Sequence, residues 1–125
     1  MFSGGTSKSK FGKTGEGIAC GYLVDNGYKV LARNYRRKWG EIDIVAKYKD
    51  GTLVFFEVKT MLDKPGGLKP EDQATFSKLS KVKRACEEFT GSHPELIDLK
   101  KGWRIDLLAL TINGKGYIIK HYKNI

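Results

Sequence analysis

Apolar residues along the chain recur first at helical and then at alternating spacing. Ile18, Ala19, Tyr22 and Leu23 share one face of a helix, which the pattern places over residues 14–26, with Thr14 as N-cap and Gly27 at its end. Glu16 precedes Ala19 by three positions and Leu23 by seven, so it sits on the edge of the buried face and not opposite it. Residues 28–31 read as a strand that continues into the polar RNYRRKW, and two more strands follow over 41–48 and 52–60. Pro65, Gly66, Gly67 and Pro70 mark MLDKPGGLKP (61–70) as a loop. A helix is predicted over 71–89, with Leu79, Val82, Cys86 and Phe89 as its inward stripe. The run 103–112 is apolar enough for a strand buried on both faces, and Asn113-Gly114 with Gly116 turns it into a last strand over 117–122. The order αβββαββ predicts a single α/β domain over residues 14–125, a mixed central sheet flanked by helices. Residues 1–13, rich in Gly, Ser and Lys, are expected to form a flexible segment ahead of it.

The stretch GEIDIVAKYKDGTLVFFEVKT (40–60) interrupts its own apolar pattern with Glu41, Asp43, Glu57 and Lys59. A two-residue turn at Asp50-Gly51 would set Asp43 opposite Val58 and Ile44 opposite Glu57, mixing charge into both faces. A three-residue loop, Lys49-Asp50-Gly51 with Gly51 left-handed, pairs Tyr48 with Thr52 instead. Ile42, Ile44 and Ala46 then face Val58, Phe56 and Val54. The other face carries Glu41 opposite Lys59, Asp43 opposite Glu57 and Val45 opposite Phe55. Charges gathered at one end of one face admit three readings. They form a site for a hard divalent cation, Mg²⁺ or Mn²⁺, with Lys59 beside it; or salt bridges such as Glu41–Lys59; or a proton shared by Asp43 and Glu57.

Composition narrows the setting. With 125 residues, 40% of them hydrophobic, the chain suffices for one core. No apolar run approaches the roughly 20 residues that cross a bilayer, and no signal-peptide core opens the chain, so it is expected to be soluble and cytoplasmic with no membrane partner. Cys20 and Cys86 have apolar neighbours at helical spacing and read as reduced core thiols; two cysteines cannot make a four-cysteine zinc site. His93 and His121 lack ligand spacing and read as surface or structural residues. The net charge of +9, from 23 basic against 14 acidic residues, points to a polyanionic partner, nucleic acid before membrane.

Taken together, Gly15-Glu16 in the first helix, Asn34-Tyr35-Arg36, GEIDIVA (40–46), FFEVKT (55–60) and a lysine-bearing second helix resemble the YraN-like family. These are small bacterial proteins predicted to be endonucleases, similar to archaeal Holliday-junction resolvases and placed in the PD-(D/E)xK superfamily with its restriction-endonuclease-like fold. The resemblance covers about residues 15–106. It implies that Asp43 and Glu57 are acidic metal ligands, that the Val58 carbonyl adds another, and that Glu16 completes the site directly or through water. Lys59 would orient the attacking water and stabilise charge on the phosphate. KLSKVKRAC (78–86) makes Lys78 and Lys81 phosphate contacts by the same resemblance, while Lys83 and Arg84 read as ordinary solvated side chains. Arg36 and Arg37 would hold a nucleic-acid backbone, and Trp39 either stacks on a base or packs under the loop. Many relatives carry Arg where this chain has Met61. Arg104 and Asp106 match the family's closing strand and read as a structural ion pair. The implied activity is metal-dependent hydrolysis of DNA, structure-selective on branched DNA, and analogy with resolvases admits a homodimer. The rival readings are a nucleic-acid-binding module that no longer cleaves and, last, a protein-interaction scaffold.

Overall fold

The computed structural model describes residues 10–38, 40–62 and 76–125, without the side chains of 10–13 and 76–78. Its elements are α1 (Lys10–Asp25), β1 (Tyr28–Arg37), β2 (Gly40–Tyr48), β3 (Leu53–Leu62), α2 (Phe76–Ser92), a short 3₁₀ turn (Pro94–Leu96), β4 (Trp103–Asn113) and β5 (Gly116–Tyr122). The predicted order αβββαββ is the observed one. The five strands line up as β1-β2-β3-β4-β5 in one mixed sheet, antiparallel throughout except for β3 beside β4. A parallel pair needs a long crossover, and the segment containing α2 supplies it.

The two helices cover opposite faces of the sheet. Ala19 and Leu23 of α1 pack with Tyr28, Ile44, Ala46, Val54, Phe56, Leu108 and Leu110. Val82, Ala85, Cys86 and Phe89 of α2 pack with Ala32, Tyr35, Ile42, Val45, Phe55 and Ile105. Phe55 and Phe56 are neighbours in β3, yet both are fully buried because each faces a different helix. No helix among the described residues is long and apolar enough to cross a membrane.

Several boundaries differ from the sequence reading, among them the end of α2, which runs to Ser92 and not to residue 89. Helix α1 begins at Lys10, so Thr14 is an exposed residue inside it and not its cap. Strand β3 runs on to Leu62, because Met61 and Leu62 continue the parallel ladder opposite Thr111 and Ile112 of β4. Trp39 and residues 63–75 lie outside the described residues, and so does the predicted start of the second helix.

The β2–β3 loop is the three-residue one. Gly51 has φ of +100°, the Tyr48 N–H donates to the Thr52 carbonyl at 2.9 Å, and the Asp50 carboxylate accepts from the Thr52 N–H at 2.9 Å. It sets the register Lys47–Leu53, Ala46–Val54, Val45–Phe55 and Ile44–Phe56. There the ladder ends.

Candidate active site and the groove beside it

Beyond Ile44 and Phe56 the strands part, and the reason lies in β2. Strict alternation would send Ile42 and Val45, three apart, to opposite faces. Both instead join the cluster under α2, as do their partners Tyr35 and Ala32 in β1. Between those pairs β1 passes through Asn34 with φ of +52°, a conformation that asparagine tolerates better than most residues. Each strand thus makes an irregular step at the same level, Arg33-Asn34 facing Asp43-Ile44.

That step frees Asp43 from the ladder. Its carboxylate turns across the gap and accepts the Val58 N–H at 2.7 Å, while the residue stays 4% exposed. In an extended strand the N–H and C=O of one residue point to the same edge, so the Val58 carbonyl also opens on this gap. The predicted ladder pairs Asp43–Glu57, Ile42–Val58 and Glu41–Lys59 do not form. Ile42 moves to the other face, and Glu41 accepts from the Arg36 Nε at 2.9 Å in the neighbouring strand.

Glu57 is 5% exposed and lies 2.8 Å from the Lys59 Nζ, two residues along the same strand. It sits on the α2 side of the sheet. There burial first, then the charges of Glu87 and Glu57, push the Cys86 thiol far above its ordinary range. Cys86 is therefore an inert core thiol, as its sequence context predicts.

Glu16 approaches from the other helix. Its neighbour Gly15 presses against β3 so closely that a Cβ there would collide with the Thr60 side chain. The Glu16 carboxylate is buried and lies 3.5 Å from the Arg33 Nε. Among the described residues no three His, Cys, Asp or Glu side chains are grouped as metal ligands, so Glu16, Asp43 and Glu57 do not close around one point. The residues near the gap are nonetheless of the oxygen-donor type that a hard cation takes. Mg²⁺ takes one or two carboxylates and keeps several waters, and Asp43, Glu57 and the Val58 carbonyl offer hard oxygens of that kind.

A basic groove of about 680 Å³ adjoins this end of the sheet, lined by Arg36, Arg37, Lys38, Gly40, Glu41, Ser80, Lys81 and Arg84. A Cβ at Gly40 would stand 2.7 Å from the Lys81 carbonyl oxygen, so α2 or β2 would have to shift to admit one. The predicted contacts Arg36, Arg37 and Lys81 meet here. The Lys78 side chain lies outside the described residues. Arg84, which the sequence reads as an ordinary solvated side chain, lines the groove too, as does Lys38, to which the sequence assigns no role. Arg84 follows Lys81 by three positions, the spacing that puts two helical residues on one face. Lys83 does not line the groove. It is exposed, as expected.

The family described as "Uncharacterised protein family UPF0102" matches residues 15–110. The chain belongs to that family. A UPF0102 protein of Caldicellulosiruptor bescii is 38% identical over 109 residues, 87% of this chain and 88% of that one. Another, of Desulforamulus reducens, is 34% identical over 119 residues, 94% of this chain and 95% of its own. Among solved structures, a repair endonuclease from Pyrococcus abyssi aligns with TM-score 0.43 and 14% identity, over 82% of this chain and only 38% of that chain.

The UPF0102 match contains Glu16, Asp43, Glu57 and Lys59 and stops short of His121, which belongs to a second polar cluster. Asp106, fully buried in β4, accepts from the Arg104 Nε at 2.9 Å, the His121 Nε2 at 2.7 Å and the Asn124 N–H at 2.9 Å. Burial pushes its pKa up, but the hydrogen bonds from His121, Arg104 and Asn124 outweigh burial and hold it below the ordinary value. Arg104 also donates to the Tyr28 hydroxyl at 3.0 Å, and the other His121 ring nitrogen is 3.2 Å from the Tyr22 hydroxyl. The Arg104–Asp106 ion pair predicted from sequence is present, and His121 is structural. The sequence reading missed that the two belong to one network tying α1, β4, β5 and the C-terminal residues together.

Proposed function

We propose that this UPF0102 chain is a metal-dependent nuclease that hydrolyses phosphodiester bonds of DNA, branched DNA before plain duplex. The carrying observation is the strand split that presents Asp43 beside the nearly buried Glu57–Lys59 pair. Burying an ion pair often stabilises a fold no better than apolar side chains of similar volume would. Its presence in a β strand whose other residues are mostly apolar therefore supports a chemical role. Asp43, Glu57 and the Val58 carbonyl would hold Mg²⁺ or Mn²⁺, with Glu16 reaching it through water. The metal, when bound, would withdraw charge from a phosphate oxygen and make a nearby water more acidic. Lys59 would place a positive charge where the phosphate gains negative charge during attack, and Glu57 holds that ammonium in place. Arg36, Arg37, Lys78 and Lys81 would contribute salt-dependent affinity for the backbone. Among the described residues no element offers a recognition helix, so selection by DNA shape fits better than base readout. By the same reading the protein works in the cytoplasm, and a homodimer would suit a junction with two symmetric strands to cut.

A second reading has one observation in its favour. Because the three acids are not grouped as ligands of one ion, a nucleic-acid-binding module that no longer cleaves is also consistent with the site. Strand cleavage separates the two. Labelled duplex, single-stranded, flap and four-way-junction DNA are incubated with Mg²⁺ or Mn²⁺, beside an Asp43→Ala variant purified identically. Cleavage that needs metal and vanishes in the variant is the expected result. Intact binding without cleavage in either protein would leave the module.

A further inference from the structure

We propose that the groove between the β1–β2 turn and α2 is a track for the nucleic-acid phosphate backbone, in which Glu41 and Glu88 are counter-charges that phosphates displace. The inference rests on the nucleic-acid reading above but not on cleavage.

Among the described residues, five cations line the groove, Arg36, Arg37 and Lys38 from one bank and Lys81 and Arg84 from the other, against the single lining carboxylate of Glu41. All five are exposed. A pocket for one small anion would enclose its ligand; an open row of exposed cations suits a polyanion running past it. Gly40 lines the groove where its lack of a side chain lets β2 approach the Lys81 carbonyl of α2, which brings the two banks close together. The groove also leads to the acidic site. Glu41 lines it, and Asp43 follows two residues on, about 7 Å along the strand.

Two ion pairs preset the arginines. The Arg36 Nε lies 2.9 Å from the Glu41 Oε2, and the Arg37 Nε 3.2 Å from the Glu88 Oε1, all four side chains being between 34% and 43% exposed. Arg37 also lies over the Tyr35 ring, 4.2 Å from its centroid. Exposed pairs of this kind are weak and screened by salt. A guanidinium fork accepts carboxylate and phosphate with the same planar geometry. A phosphate can therefore take the carboxylate's place with the arginine already oriented, and the acids oppose weak or misplaced anions until it does.

The test measures binding in EDTA, so that cleavage plays no part, by fluorescence anisotropy of labelled duplex and single-stranded DNA over a range of salt. The groove variant is Lys81→Glu/Arg84→Glu. A control variant, Lys100→Glu/Lys115→Glu, makes the same change in net charge at exposed sites outside the groove. Circular dichroism and melting confirm that both fold. The groove variant should lose affinity by about tenfold or more and lower the salt slope by about two, whereas the control should lose less than about threefold. Glu41→Gln should bind about two- to threefold tighter at low salt, with the gain fading as salt rises. Equal losses in groove and control variants would overturn the track, and an unchanged Glu41→Gln would overturn the counter-charge role. Wild type that binds no DNA but does bind anionic vesicles or a poly-glutamate would overturn this proposal and the nucleic-acid reading together. Groove-dependent binding without cleavage would sink only the nuclease.

Discussion

Two groups of buried carboxylates lie in this sheet, and they are held in opposite ways. Asp106 is enclosed by donors drawn from three places, Arg104 on its own strand, His121 on β5 and the backbone at Asn124 near the C-terminus. Arg104 and His121 are themselves held by the hydroxyls of Tyr28 and Tyr22, so the cluster joins distant parts of the chain. Asp43 instead lies where two strands have stopped pairing, and it takes a backbone N–H that the ladder no longer uses. Glu57 beside it is matched with Lys59, a long side chain on the same strand. The first arrangement closes a region and the second opens one. A carboxylate enclosed by rigid donors from several elements serves the fold. One exposed to a gap by a deliberate break in a ladder is available for something else.

Substitution should separate them most sharply at Asp106. Asp106→Ala leaves Arg104 and His121 facing a buried void, and removing one member of a buried charged network costs about 3–5 kcal/mol. In a chain of this size that is a fall in Tm of roughly 10 °C or more. Cleavage per folded molecule should stay within about threefold of wild type, measured well below Tm. Lys59→Met should behave in reverse. If the site is catalytic, removing the charge that meets the developing phosphate charge lowers the cleavage rate about 10²–10³-fold. The loss should persist at temperatures where calorimetry shows the variant fully folded. A large stability loss with little change in cleavage at Lys59 would place that lysine with the Asp106 class and remove the contrast.

How far the sequence reveals these two groups follows from what local pattern can encode. Element order is legible because the apolar period changes from helical to alternating between α1 and the strands. The β2–β3 register is legible because only a three-residue loop with Gly51 left-handed keeps charge off the core face. The break after Ile44 is not, since it arises from the matching irregular step in β1 around Asn34, and alternation extrapolated along β2 alone runs straight through it. The pairs Glu41–Lys59 and Asp43–Glu57 fail for that reason. Arg84 reads as an ordinary solvated side chain because a charge on a helix face acquires meaning only when another element comes to face it. His121 lacks any ligand spacing because its partners are 15 and 99 positions away.

Close packing offers an intermediate test, because the glycines differ in what surrounds them. Gly40→Ala would force α2 away from β2 at the Lys81 carbonyl. Overpacking of this kind costs about 1–3 kcal/mol, and DNA affinity should fall with it as the groove banks shift. Gly21→Ala, inside α1 with nothing within 4 Å of the added Cβ, should instead gain about 0.5–1 kcal/mol. Melting curves of the two variants measure both. A neutral Gly40→Ala would mean that the approach of α2 to the strand is looser than the 2.7 Å clearance indicates.

The smallest effect is the dependence of stability on pH, and its sign follows from the depressed pKa of Asp106. The folded state holds this carboxylate ionised more strongly than the unfolded chain, where the group titrates near its ordinary value of about 3.8. The unfolded state therefore binds the proton first as pH falls, and the stabilisation, complete above that value, is lost as pH drops through the lower folded pKa. Asp50 and Asp98 are shifted in the same direction by backbone N–H donors, so the total acid slope is not diagnostic by itself. The diagnostic quantity is the difference between wild type and Asp106→Asn. Asp50 and Asp98 remain in both proteins, and only the wild type loses the Asp106 increment on acidification. The gap in Tm between them should be constant from neutral pH down to about 4 and then narrow below it. A gap that held steady through the acid range would mean that Asp106 acts through its shape and hydrogen bonds and not through its charge.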